Sequence, residues 1–153
     1  MPDETDSRLL RAMQRNAHLT TQELGQILGL SPSQAGRRRQ LLENEGYIKD
    51  YRATVDPEKL GLHVEAFVQV VMATHDPKAA NDFTLLTKAQ EEITAAWTLT
   101  GEADYLLHVY CHDLKALNRL VHEVLLPHPA VSRVQSQIVM NRVKPDSPLP
   151  VHF

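Results

Sequence analysis

An α+β fold in two parts is predicted by three features of the chain. A Gly-Leu-Ser-Pro turn at residues 29–32 joins two capped helical stretches, three consecutive arginines follow at 37–39, and from Val64 onward the apolar segments read β-α-β-β-α-β. The first two features predict a winged helix-turn-helix over 1–60, and the third predicts a ferredoxin-like βαββαβ domain over 61–153.

The first helix is announced by Leu9, Leu10 and Met13 at helical spacing, with Thr5 and Asp6 placed to cap it. Thr20-x-x-Glu23 is a capping-box pattern that opens a second helix, whose expected apolar face is Leu24, Ile27 and Leu28. Gly29 supplies its left-handed stop. Ser31-Pro32-Ser33-Gln34 then gives a cap, a proline at the first helical position and a Gln three residues past the cap, so a third helix starts there. Gly46 is its expected terminator, and residues 47–55, YIKDYRATV, alternate as a short strand or wing would.

Charge points to what the third helix meets. The 153 residues carry a net charge of -3, with seven Lys/Arg against seven Asp/Glu in residues 1–50 and nine against twelve in 51–153. Neither part is basic, so affinity for a polyanion has to come from a local patch, and the arginine run is the obvious one. At about 100° per residue, Ala35 and Leu42 fall within about 20° of each other and form the buried stripe. Ser33, Arg37, Gln40 and Asn44 lie opposite, and these side chains can reach base edges or phosphates. Ser31 and Gln34 join them at the helix entry. Arg38 points about 100° round from Arg37, towards a flanking phosphate, and Arg39 a further 100°, towards the interior side, where its stem can pack. The competing reading is a merely solvated arginine face.

In the second part, residues 64–72 form an apolar strand, and Asp76-Pro77 caps a helix with Ala79, Phe83 and Leu86 on one face. Residues 93–100 and 105–111 read as strands around the loop Gly-Glu-Ala-Asp. Asp113 caps a helix bearing Leu117, Leu120, Val121 and Val124, and residues 131–143 read as a long last strand. Leu106 and Tyr110 on one side of a strand, against Leu107, Val109 and Cys111 on the other, predict a sheet covered by helices on one face and by a second copy of the chain on the other.

Composition is that of an ordinary globular protein, 42% hydrophobic and 23% charged. No apolar run approaches the roughly 20 residues that span a bilayer. The polar, acidic start MPDETDSR is unlike a secretory or transit signal, and the single cysteine, Cys111, fits a reducing compartment, so a cytoplasmic protein is expected.

Taken together, these motifs resemble the Lrp/AsnC family of transcription regulators over nearly the whole chain. The residues that carry the resemblance are Asp3, Asp6, Leu9 and Leu10; Gly29-Leu30-Ser31-Pro32; Arg38, Leu42, Glu43, Gly46 and Ile48; Tyr51-x-Ala53; Leu60-Gly61; Thr100-Gly101-x-x-Asp104; and Lys144 with its proline-containing tail. The resemblance implies a DNA-binding domain joined to a ligand-sensing domain, homodimers built through the latter and often assembled to octamers, and an amino-acid-like effector bound between dimers. It places Gly101, Asp104 and Ser136 near that effector, where the Asp104 carboxylate can pair with an α-ammonium. Asp104 can equally be a turn residue bonded to backbone. The resemblance implies no catalytic residue, metal or cofactor. Two departures stand out: Arg39 replaces a usual Val or Ile, and Gly25 replaces a usual Ala, which should loosen the second helix by roughly 1 kcal/mol.

Two other functions compete. Some proteins resembling this family act on tetrapyrroles through histidines, and His108 and His112 flank Cys111 here. The His108 alternation with Leu106 and Tyr110 instead suits a packed or interface position, and zinc-type ligand spacing is lacking. A sensing or assembly protein without DNA binding is disfavoured by the polar, arginine-bearing third helix.

Overall fold

The structure is a computed structural model describing residues 2–152, and the chain packs as two compact units, 1–54 with 143–153 and 55–142. The sequence boundaries, 1–60 and 61–153, divide the chain differently, because the carboxy-terminal tail packs with the amino-terminal helices.

The first unit is built on helices α1 (Glu4–Arg15), α2 (Thr21–Leu28) and α3 (Pro32–Asn44). Asp3, not Thr5 or Asp6, caps α1. The Asp6 N–H donates to Asp3 Oδ1 at 2.9 Å and the Asp3 N–H to Asp6 Oδ2 at 3.0 Å, so the acidic pair forms a reciprocal box and the helix begins earlier than expected. Leu9, Leu10, Met13, Leu24, Leu28, Ala35 and Leu42 make one buried cluster. Ile27, expected inside, is 42% exposed. The buried residues of α2 are Leu24, Gly25 and Leu28, which rotates the packed stripe away from Ile27.

Gly25 explains that rotation. A Cβ there would sit 2.7 Å from the Leu30 carbonyl oxygen and 3.3 Å from the Pro32 nitrogen, because the turn folds back over α2 and the Leu30 N–H donates to the Gly25 oxygen at 2.9 Å. The glycine therefore permits a close backbone approach, at whatever cost its low helix propensity carries. Gly29, with φ of 72°, closes α2 in the left-handed region as expected.

After α3, residues 49–56 have no regular secondary structure. The expected strand over 47–55 is not formed, since a strand requires a partner and none pairs with it among the described residues.

The second unit is a four-stranded antiparallel sheet in the order β2-β3-β1-β4, from β1 (Val64–Met72), β2 (Ile93–Thr98), β3 (Tyr105–Cys111) and β4 (Val131–Ile138). Helix α4 (Pro77–Ala89), capped by Asp76, and helix α5 (Leu114–Arg119), capped by Asp113, cross one face. The core between them contains Val68, Val70, Phe83, Leu107, Val109 and Leu125. Beyond Arg119 the last helix widens to π geometry over Leu120–Leu125. Leu117, Leu120 and Leu125 are buried there, whereas the expected Val121 and Val124 are half-buried. Strand β4 stops at Ile138, not at 143, because Ile138 already faces Ala66 near the start of β1 and, among the described residues, only the Val139 N–H finds a further backbone partner there, the Glu65 carbonyl. Strand β2 likewise ends at Thr98, where the loop to β3 begins.

Candidate functional site

Helix α3 stands on Ala35 and Leu42, 0% and 1% exposed, and presents Ser33, Arg37, Gln40 and Asn44 to solvent. The four face outward as the helical spacing predicts. A short hydroxyl, a fork of guanidinium donors and two amides along one face suit a groove edged by donors, acceptors and phosphates.

Ser31 and Gln34 are engaged locally. The Gln34 N–H donates to Ser31 Oγ at 3.2 Å, and Gln34 Oε1 accepts from the Ser31 N–H and hydroxyl at 3.0 Å each. Both expected contacts thus serve as the cap that fixes the start of α3.

The three arginines separate sharply. Arg37 is exposed, whereas the Arg38 guanidinium lies 2.7 Å from Asp6 Oδ1 and 2.9 Å from Asp3 Oδ2. Arg38, for which a flanking phosphate contact was expected, thereby ties the amino terminus of α1 to α3 in this chain. The Asp6 N–H, and then Arg38, hold the Asp3 carboxyl below the usual range, and the Asp6 hydrogen bond raises Arg38. Arg39 turns inward, donating to the Leu19 carbonyl at 3.4 Å and lying 3.6 Å from Glu43. Glu43 also accepts from the Tyr51 hydroxyl at 2.6 Å, and burial followed by this carboxylate pushes the Tyr51 phenol up to about 12. Nothing in the spacing of Glu43 and Tyr51 signals this bond, which ties the segment after α3 back onto the helix.

The expected effector residues are not all together. Gly101, at φ of 108°, shapes the β2–β3 loop. Asp104 ends that loop: its N–H donates to the Val70 carbonyl at 3.0 Å, and its Oδ2 accepts from the Met72 N–H at 2.7 Å. One carboxylate oxygen therefore extends the β1–β3 ladder, while Oδ1 faces His75 Nδ1 at 3.7 Å. Ser136 is exposed on β4 opposite Val68. Three residues along and two strands across place it roughly 14 Å from Asp104.

The sheet face away from the helices bears a polar cluster that sequence reasoning missed. Glu65 Oε1 lies 2.7 Å from His108 Nε2 and accepts from Arg142 at 2.7 Å, and Arg142 also reaches the Tyr110 hydroxyl at 3.0 Å. The Phe67 and His108 rings stack at 4.6 Å. Burial pushes Glu65 up, but the hydrogen bonds from His108, Arg142 and Tyr110 outweigh it and hold the carboxyl below its ordinary range. Cys111 is buried, which raises its thiol. His112 Nδ1 is 2.8 Å from the Gly61 carbonyl oxygen. Among the described residues no group of three His, Cys, Asp or Glu side chains could hold a metal ion.

Comparison with known proteins gives this geometry its context. Residues 2–49 match the model for winged helix-turn-helix DNA-binding domains, and residues 65–149 match that for the Lrp/AsnC ligand binding domain. The transcriptional regulator AzlB of Bacillus subtilis is 30% identical over 151 residues, covering 99% of this chain and 96% of that protein. The leucine-responsive regulatory protein of Escherichia coli K12 is 30% identical over 142 residues, covering 93% and 87%. Among solved structures, a transcriptional regulator of Neisseria meningitidis crystallised as a complex with L-Met superposes with a TM-score of 0.94 at 35% identity, covering 98% of this chain and 97% of that one. With a recognition helix exposing a polar face on a helix-turn-helix, a ferredoxin-like sheet behind it in sequence, and both family models matched, the chain belongs to the Lrp/AsnC family of DNA-binding, amino-acid-responsive transcriptional regulators.

Proposed function

We propose that this regulator works in the cytoplasm as a homodimer, with dimers joining to octamers, and that each dimer reads two related DNA half-sites with its paired α3 helices. The exposed face of Ser33, Arg37, Gln40 and Asn44 on an otherwise neutral unit carries this reading. No helix among the described residues is long and apolar enough to cross a membrane, in keeping with a DNA-bound protein. Two features support the dimer. Among the described residues no helix covers the half-buried sheet face with Phe67, Leu106, His108 and Tyr110, and residues 49–56 pair with no strand, which leaves their backbone free to add to a strand of a second copy. Sedimentation of the full chain at micromolar concentration is expected to show a dimer or larger species; a monomer would sink this assembly.

The effector we assign is an L-amino acid with an apolar side chain, bound near Gly101, Asp104 and Ser136 and between copies. The roughly 14 Å separating Asp104 from Ser136 within one chain supports a site completed by another copy. The relatives named for leucine response and for an L-Met complex support the chemical class. A site between copies gives the differential binding to association states that allostery requires.

Asp104 provides the test, because it has two separable duties. Asp104→Asn keeps an oxygen to accept from the Met72 N–H but removes the charge. It is expected to leave stability within about 0.5 kcal/mol of the parent while weakening amino-acid affinity about tenfold or more in a thermal-shift titration. Asp104→Ala also strands the Met72 N–H and is expected to cost a further 1–2 kcal/mol, roughly, in urea unfolding. Unchanged ligand affinity in the Asn variant would reduce Asp104 to its ladder role.

A further inference from the structure

We propose that residues 148–152 form an intramolecular clasp that sets how firmly α1 holds the recognition helix α3. The segment reads Pro148-Leu149-Pro150-Val151-His152. Neither proline has an N–H, so Leu149 is the one backbone donor of the Pro-Leu-Pro triad. Both of its polar groups go to a single side chain: the Leu149 N–H donates to Gln14 Oε1 at 2.7 Å, and Gln14 Nε2 donates to the Leu149 carbonyl at 3.1 Å. The Gln14 amide thus acts as a one-residue strand partner. Flanking prolines limit the conformations the free tail can adopt, which lowers the entropy lost on docking.

Apolar contact reinforces the bonds. Val151 packs against the cluster of Leu9, Leu10 and Met13, and residues 149–152 wall a cavity of about 670 Å³ together with Leu10, Met13, Tyr47 and Ile48. The clasp therefore bears on the carboxy-terminal half of α1 and on the segment that follows α3. At the opposite end of α1, Asp3 and Asp6 grip Arg38 of α3. Helix α1 is one rigid rod of 12 residues, about 18 Å long, so its seating at one end governs the grip at the other. In sequence the tail follows β4, which ends at Ile138 and carries Ser136, after the irregular residues 139–147. Release of the clasp loosens α3 through α1.

Hydrogen exchange on the full chain tests this in solution. Three variants undo the clasp by different means: truncation after Lys144, Gln14→Ala, and Val151→Asp. Gln14 is exposed, so its substitution leaves the helical core intact. All three are expected to raise exchange about tenfold in the last turn of α1 and, to a smaller extent, in α3. A peptide of residues 145–153 added in trans should restore protection to the truncated chain. Unchanged exchange in α1 would show that the clasp is not docked, and faster exchange in α1 with α3 unaffected would break the proposed link to the recognition helix. A gel shift with the DNA upstream of the protein's own gene is expected to weaken several-fold in each variant. Failure of the parent chain to shift that DNA, or any other duplex, would count against the DNA-reading role while leaving the exchange result to decide the clasp.

Discussion

Gly25→Ala is expected to destabilise the amino-terminal unit by about 2–3 kcal/mol, although helix propensity alone argues for a gain of about 1 kcal/mol. The sign is decided by what the new methyl group meets. It would lie 2.7 Å from the Leu30 carbonyl oxygen and 3.3 Å from the Pro32 nitrogen, both backbone atoms of the turn that positions α3. A side chain could rotate away, but this turn is held onto α2 by the Leu30 N–H bond to Gly25, which a shift would strain. Gly36 is the internal control: its added methyl would meet only the Thr21 side chain, Cγ2 at 3.1 Å, which can rotate away, and Cβ at an ordinary 3.9 Å. Gly36→Ala should therefore be near neutral or mildly stabilising. For a unit of this size each kcal/mol shifts the melting temperature by about 4–8 °C, so the two variants should separate by more than about 10 °C. A rise in melting temperature for Gly25→Ala would show that the turn has slack the structure does not.

The same glycine shows what a sequence can and cannot disclose. The boxes at Thr20/Glu23 and Ser31/Gln34, the Gly29 stop and the Ala35/Leu42 stripe were legible because each is decided within a few residues along the chain. Strands 64–72 and 105–111 were legible for the same reason, as their alternation is a local pattern. Gly25 misled because its constraint comes from a turn folding back in space. Ile27 misled because the direction of the packed stripe depends on that turn. Arg38 lies more than thirty residues from its carboxylate partners, and nothing local distinguishes it from Arg37. Asp104 could be read as ligand or turn residue, and only the register of β1 with β3 reveals the Met72 N–H it satisfies. The clasp was least legible of all, since Gln14 and Leu149 stand at opposite ends of the sequence.

Arg37→Ala and Arg38→Ala, side by side in sequence, are expected to fail in different ways. Arg37 is exposed on the polar face of α3, so its loss should leave the melting temperature unchanged and reduce discrimination between specific and random DNA by about 10- to 100-fold, the 1–3 kcal/mol of a good base contact. Arg38 is held by Asp3 and by Asp6, whose side chain is 9% exposed. Removing it leaves a nearly buried carboxylate without its cation, at a cost of about 1–2 kcal/mol once the solvent access of Arg38 is allowed for. Its effect on DNA binding should come through a loosened α3 and should appear on specific and random sequences alike. The dependence of affinity on salt distinguishes this from a phosphate contact. An arginine neutralising a phosphate releases a counterion, and its loss lowers the slope of log affinity against log salt by about one. Arg38, already neutralised by two aspartates, should leave that slope unchanged. A reduced slope with an unchanged melting temperature would return Arg38 to the DNA backbone and leave the Asp3/Asp6 pairing as a resting-state contact that DNA displaces.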